Sequence, residues 1–429
     1  MKPISRGSLA IAAFSTIVEW YDFTLYLYFA TVLARVFFGP GEASLLATLG
    51  GFAIAYLMRP LGAVFFGHIG DRQGRRHMML LSVALMTAAM LATALLPTHA
   101  QLGPAAGWLL FLLRCVMGFS VGGEYTGVVA YLLEGARPER RGLVTSSASA
   151  ASEIGALLAV GVSALTVGAM SAPDLDSWGW RIPFLVGAAL AASVFIARAT
   201  MEESPDFERQ RAGGTVPRSP LRYTLTHHRA GILRAFTISA LGSITYYVGI
   251  TYVPAFIATA GSLGENESLW LSTIAALVVI LVTPLIGALS DRVGRKPILL
   301  VLCLCGAILP MTMFTLMAGS HAHALVGAVV LAGLGGGVSA VGAAATAEQF
   351  PGEGRLSGLA LGATMATAIF GGLTPWLAQF LLDRTGWPFV PGAMIAVVAL
   401  GVLPVLLALP ETAPARAARG VDAQGPRRF

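Results

Sequence analysis

The residues best able to do chemistry are ionisable groups set in stretches otherwise too apolar to hold them. The first half of the chain carries Glu19, Asp22, Arg59, Arg114, Glu124 and Glu153 in such places. The second half has no acid at comparable depth, Glu348 falling near the end of its apolar segment. An ionised side chain inside a bilayer costs about 3 kcal/mol on insertion scales, so each of these needs a reason. Buried carboxylates can take up and release protons, and a guanidinium can hold a carboxylate bidentately. Glu19 and Asp22 are three residues apart and Tyr26 lies four beyond, so all three share one helical face. Arg114 and Tyr125, eleven apart, share another.

These groups need a membrane scaffold to position them. Of 429 residues, 56% are hydrophobic and only 12% charged, more apolar surface than a soluble domain can hide. On the scale of ~20 apolar residues per crossing, spanning segments fall near 9–37, 45–68, 77–97, 107–134, 144–168 and 180–200. A second set follows near 232–260, 268–290, 297–318, 324–350, 356–382 and 388–410. The expected fold is all-α: twelve transmembrane helices in two pseudo-symmetric six-helix bundles, 1–200 and 232–410. They are joined by a linker, 201–231, rich in charge, Gly and Pro, and followed by a short tail, 411–429. A flexible or surface-lying connector is the natural reading of the linker.

Most of the 28 Lys and Arg collect in alternate loops, while 38–44, 98–106, 169–179, 261–267 and 319–323 contain none. This bias places both termini in the cytoplasm of a multi-pass protein of the cell (inner) membrane. The net charge of +6 is therefore topological, and no nucleic-acid partner is expected. Cys115, Cys303 and Cys305 lie in apolar stretches, where a disulfide framework is not expected. The first segment carries Glu19 and Asp22 and has no small-residue cleavage site, unlike a signal peptide.

Two short polar turns are near copies. GHIGDRQGRR at Gly67–Arg76 returns as GALSDRVGRK at Gly287–Lys296. Gly67, Asp71, Arg72, Gly74 and Arg75 thus match Gly287, Asp291, Arg292, Gly294 and Arg295. The first Gly allows two helices to approach, and the Asp can meet a helix N-terminus or an Arg across a seam. The pair is expected to act as a gating latch between the bundles; anchoring by positive charge alone is the plainer alternative.

The two turns resemble the signature loop of the major facilitator superfamily. EWYDF at Glu19–Phe23, LMRPLG at Leu57–Gly62, GFSVGGEYTG at Gly118–Gly127, WGWRIPF at Trp178–Phe184, MEESP at Met201–Pro205 and AIFGGLTP at Ala368–Pro375 resemble its metabolite:proton symporter family. The resemblance covers essentially the whole chain. It implies the major facilitator fold, a central cavity, and proton-driven uptake of a small carboxylate-bearing metabolite. That substrate is either an organic acid of the citrate or α-ketoglutarate type or a zwitterion of the proline or betaine type. If helices 1 and 4 face each other across the cavity, as the resemblance implies, Asp22 and Arg114 could pair. Substrate engaging Arg114 would then free Asp22 to take a proton; a structural salt bridge is the alternative.

On this reading the proton-coupling candidates are Asp22, Glu19, Glu124 and Glu153. The substrate-binding candidates are Arg59, Arg114, Tyr26, Tyr125, Tyr246, Tyr247 and Gln379, with an internal brace the equal alternative for Arg59. Glu153 departs from the resemblance, since citrate-type and betaine-type carriers tend to have a neutral residue there. Four interior acids against two Arg tilt the substrate toward a zwitterion. TYY at Thr245–Tyr247 is similar to the betaine and proline carriers, AIFGGLTP to the citrate carriers, so the resemblance divides on substrate.

No nucleotide-binding loop, nucleophile or metal cluster stands out, so no enzyme is expected. No cofactor is expected either, the proton being the coupling ion. The partners are a small-molecule substrate and the lipid bilayer, with a monomer as functional unit. Proton-driven drug or metabolite efflux, and a transporter-like solute sensor, are the alternatives in other classes.

Overall fold

The computed structural model describes residues 4–39, 42–260 and 265–413. Lys2, the loop 261–264 and the tail beyond 413 lie outside the described residues. Helix 1 runs Arg6–Tyr28 and, after a break at Phe29, Ala30–Phe38. Helices 2 and 3 are Glu42–Gln73 and Arg75–Ala94. Helix 4 joins Ala105–Val121 to Glu124–Gly135 through Gly122 and Gly123. Helices 5 and 6 are Arg141–Ala169 and Arg181–Ala199.

Helix 7 is Arg229–Tyr246, a wide turn Tyr247–Thr251, and Val253–Ala260. Helices 8, 9 and 10 are Glu265–Val293, Arg295–Met317 and His321–Ala347. Helix 11 starts at Arg355–Leu359 and ends at Thr374–Thr385, with wide turns at Ala360–Thr364 and Ala368–Gly372. Helix 12 is Val390–Leu407. The expected twelve spans are all present, and among the described residues nine of the helices are long and apolar enough on length and composition alone to cross a bilayer. The wide turn of helix 7 and the second one of helix 11 lie just before Pro254 and Pro375, whose missing N–H and bulky ring loosen the preceding turn.

Helices 2 and 4 cross with their backbones touching. A Cβ on Gly62 would fall 1.8 Å from the Phe119 carbonyl oxygen, and one on Gly118 1.9 Å from that of Ala55. That crossing carries Arg59 inward, beside helix 1. Helices 2 and 11, and helices 5 and 8, form the seam between bundles. Near the repeated turns the seam is filled by one apolar core drawn from both halves, including Phe66, Met78, Ala343, Phe350 and Leu356.

Of the two expected forms, the linker takes the surface-lying one. It forms two short helices, Pro205–Gly213 and Pro220–His227, on the face that carries the repeated turns, hereafter the linker face. The first is started by Ser204, whose Oγ accepts from the Phe207 N–H at 3.1 Å, with proline at its first position. Asp206 then reaches Arg355 of helix 11 at 3.1 Å, across the seam.

Candidate functional site

A cavity of about 190 Å³ lies between the bundles. Helices 1 and 2 contribute Glu19, Trp20, Tyr56 and Arg59; helices 4 and 5 contribute Tyr125, Ser149, Ser152 and Glu153. Facing them are Tyr246 and Tyr247 of helix 7, Ser339 of helix 10, and Thr364 and Thr367 of helix 11. The volume is below the ~300–1,000 Å³ of pockets for drug-sized ligands, which suits a small metabolite.

The Glu19–Arg59 pair forms part of the wall. Nη1 of Arg59 lies 3.4 Å from Oε1 of Glu19, while Oε2 of Glu19 is buried without a hydrogen-bond partner. The Arg59 guanidinium stacks 4.6 Å from the Tyr56 ring centre and 5.1 Å from that of Phe23. Tyr56 donates to Tyr247 Oη at 2.6 Å, and Tyr246 donates to Glu153 at 2.5 Å, both contacts crossing between bundles. Tyr125 shares a 2.7 Å hydrogen bond with Ser149.

Asp22 and Arg114 do pair, at 2.8 Å, but not in the cavity wall. They border a smaller void of about 30 Å³ inside the first bundle, with Tyr26, and this void shares Glu19, Tyr56 and Arg59 with the cavity wall. Arg114 lies 5.0 Å from the Tyr26 ring centre, and Tyr26 donates to the Thr48 carbonyl at 3.0 Å. Arg114 and Tyr26 are therefore packed one layer behind the cavity, out of the substrate-facing position expected of them. Gln379 is also elsewhere: it accepts from Tyr252 and donates to Asp383, each at 2.7 Å, and does not line the cavity.

Glu124 has a cation that the sequence reading did not assign. Arg198, in the last turn of helix 6, is fully buried and bonds both oxygens of Glu124. It also donates to the Met79 carbonyl at 2.8 Å and to Ser15, while Ser82 donates to Glu124 at 2.7 Å. Four helices are tied by this network, which lies away from the cavity. The interior count becomes four acids against three Arg, and the acid left over is Glu153. The one available signal was Glu124 itself, a buried acid without an assigned partner.

On the linker face each repeated Asp sits at a helix N-terminus of the opposite bundle. Asp71 accepts from the N–H groups of Leu356 and Ser357, at 3.1 and 2.8 Å, where helix 11 begins. Asp291 accepts from Gly142 and Leu143, at 2.8 and 2.9 Å, where helix 5 begins. Gly67 and Gly287 lie at the close approaches: a Cβ would come 3.1 Å from the Leu356 carbonyl oxygen and 2.6 Å from that of Gly142. Arg75 and Arg295 turn inward to Glu134 and Glu348, at 3.0 and 3.3 Å. Arg72 and Arg292 are exposed and take no part, consistent with anchoring at the headgroups rather than gating.

Gly74 and Gly294 adopt φ of 110° and 115°, a region that favours glycine, and let helices 3 and 9 restart. Glu203 caps helix 3 through the Arg75 and Arg76 N–H groups, and Glu411 caps helix 9 through those of Arg295 and Lys296. Both caps were missed, although EES and PET follow helices 6 and 12 at corresponding places. So were Glu134 and Glu348, although each has an Arg seven residues on, at Arg141 and Arg355.

Comparison with known proteins accounts for this architecture. The family description "Sugar (and other) transporter" matches residues 9–214, and "Major Facilitator Superfamily" matches 252–428. The ectoine/proline transporter ProP of Corynebacterium glutamicum is 32% identical over 412 residues, covering 92% of this chain and 81% of that one. The alpha-ketoglutarate permease of Escherichia coli (strain K12) is 34% identical over 376 residues, 86% of each chain. The chain belongs to the major facilitator superfamily.

Within the superfamily it sits with the metabolite:proton symporters. Another relative is the citrate-proton symporter of Klebsiella pneumoniae, 29% identical over 398 residues, 92% of this chain and 89% of that one. Among solved structures, the proton:xylose symporter XylE bound to 6-bromo-6-deoxy-D-glucose superposes with a TM-score of 0.78 over 96% of this chain and 98% of that one, at 18% identity. This superfamily member is thus a multi-pass membrane transporter and not an enzyme, a proton-coupled symporter of metabolites.

Proposed function

We propose that this protein imports a small carboxylate-bearing metabolite together with a proton, working as a monomer with the linker face and both termini in the cytoplasm. The observation that carries the proposal is the loose Glu19–Arg59 pair in the cavity wall, 3.4 Å apart with one Glu19 oxygen unpartnered. An arriving carboxylate bonds Arg59 bidentately, a better geometry than Glu19 offers. Glu19, losing its counter-charge, binds a proton rather than remain ionised and unpaired in a buried wall. Substrate and proton then enter together. Glu124, bonded through both oxygens to Arg198, and Asp22, held through one oxygen by Arg114, tie the helices of the first bundle together while this exchange occurs.

The bundles rock about the cavity as the linker-face seam opens and closes. The orientation rests on the basic-residue bias, and the relatives' names (ectoine and proline, α-ketoglutarate, citrate) support a carboxylate as the common feature of the cargo. The test is uptake by proteoliposomes of labelled proline, betaine, citrate and α-ketoglutarate. At least one is expected to accumulate under an inward proton gradient and to stop accumulating when a protonophore is added. Uptake indifferent to the gradient removes the symport reading.

A further inference from the structure

Charge accounting leaves one acid over, and its surroundings suggest what it is for. Asp22, Glu19 and Glu124 each face an Arg, but among the described residues no basic side chain pairs with Glu153. Glu153 is 4% exposed and lines the cavity. Its hydrogen-bond partner is the Tyr246 hydroxyl, which offers one donor and no charge. A buried carboxylate held only by a phenol is short of one positive charge.

The rings beside it are those that attract cations. Trp20 stands edge-on to Tyr246 with ring centres 5.4 Å apart, and both line the same cavity. Tyr247 continues the row at 5.4 Å from Tyr246, and Tyr56 follows at 5.9 Å from Tyr247. Arg59 stacks on Tyr56 at the other end. The wall therefore runs from a carboxylate, along a row of aromatic rings, to a guanidinium. Its ends match a molecule with a cation at one end and a carboxylate at the other.

We propose that Glu153, with the rings of Trp20 and Tyr246, seats a positively charged group of the substrate and is a specificity-determining residue of the carrier. Coulomb attraction to Glu153 and the ring quadrupoles act together on a compact ammonium group. A carboxylate of the same shape without that charge leaves Glu153 uncompensated, and the cavity rejects it in proportion. The seat rests on the reading that Arg59 takes the carboxylate.

Ligand pairs that keep the shape and remove the charged nitrogen test it. Glycine betaine is compared with 3,3-dimethylbutanoate, in which carbon replaces nitrogen, and L-proline with cyclopentanecarboxylate. The midpoint of thermal unfolding of the purified full-length protein is followed against the concentration of each. The cationic member of at least one pair is expected to half-saturate at a concentration about tenfold or more below its isostere. Glu153→Gln is expected to level that pair, and Tyr246→Phe, which keeps the ring and the carboxylate, to preserve the preference.

Equal binding of both members by the unmodified protein overturns the seat, as does a preference that survives Glu153→Gln. The first criterion needs no variant, so a poorly folding Glu153→Gln protein does not shield the proposal. In either case isosteres whose binding is lost in Arg59→Gln leave the carboxylate reading standing. Failure of all four probes to bind overturns the seat, and the carboxylate reading falls with it if citrate and α-ketoglutarate fail to bind as well.

Discussion

The Ser357 N–H donates to the Asp71 carboxylate at 2.8 Å, across 286 residues of sequence and between the two bundles. Asp291 repeats the contact at Gly142 on the other side of the seam. Free N–H groups and the positive end of the helix dipole make a helix N-terminus a ready seat for a carboxylate. The contact expected to latch the bundles is a pair of helix caps, each supplied by the opposite bundle. The two halves of it are not equal. Arg355 reaches Glu134 at 2.5 Å and Asp206 at 3.1 Å beside Asp71. Among the described residues no corresponding pair joins Arg141 to Glu348 beside Asp291.

Asp291→Ala is therefore expected to open the linker face more than Asp71→Ala. Each change removes two charge-assisted hydrogen bonds, worth about 1.5–3 kcal/mol apiece, but the Asp71 side keeps its ion cluster. Spin labels on cysteines replacing the exposed Arg72 and Arg292 report the separation of the bundles. A longer-distance population should appear in both variants and be larger in Asp291→Ala. Distance distributions unchanged from the parent would remove the latch from the mechanism.

Glu19→Gln and Asp22→Asn should fail in different ways. Glu19 faces the cavity, so Glu19→Gln is expected to abolish proton-driven accumulation while counterflow exchange of substrate continues. Asp22 pairs with Arg114 outside the main cavity, so Asp22→Asn leaves a buried guanidinium without its counter-charge and costs stability, about 3–5 kcal/mol. Unfolding temperature and accumulation per folded molecule separate the two. A stable Asp22→Asn protein that exchanges but cannot accumulate, beside a Glu19→Gln protein that still accumulates, would reverse the assignment.

Arg198→Gln tests the network that the sequence hid. Glu124 loses its cation in a fully buried site, and a fall of about 3–5 kcal/mol is expected, read as a lower unfolding temperature in detergent. Arg198→Met combined with Glu124→Met should recover most of that loss, since an apolar pair needs no partner. Additive losses in the double variant would show that the two residues do not act on each other.

Much of the architecture is written locally. Runs of apolar residues set the twelve helices, because lipid rewards any segment that satisfies its own backbone. The twin turns announce two related halves, and the Gly at positions 74 and 294 announces the sharp restart there, since few other residues accept that backbone. Asp22–Arg114 was legible once helices 1 and 4 were taken as neighbours, and Tyr125, Tyr246 and Tyr247 do line the cavity.

What the sequence left undecided was which neighbour each face meets. Periodicity places Glu19 and Asp22 on one side of helix 1, yet packing against helices 2 and 4 brings Glu19 to the cavity wall and leaves Asp22 in the smaller void behind it. The same limit hid Arg198 behind its place at a helix end and sent Tyr26, Arg114 and Gln379 away from the cavity. Charge and helix face are properties of a segment, and the sequence by itself determined those. Pairing is a property of packing between segments far apart in the chain, so only the tertiary structure decided that three acids have an Arg and Glu153 has a tyrosine.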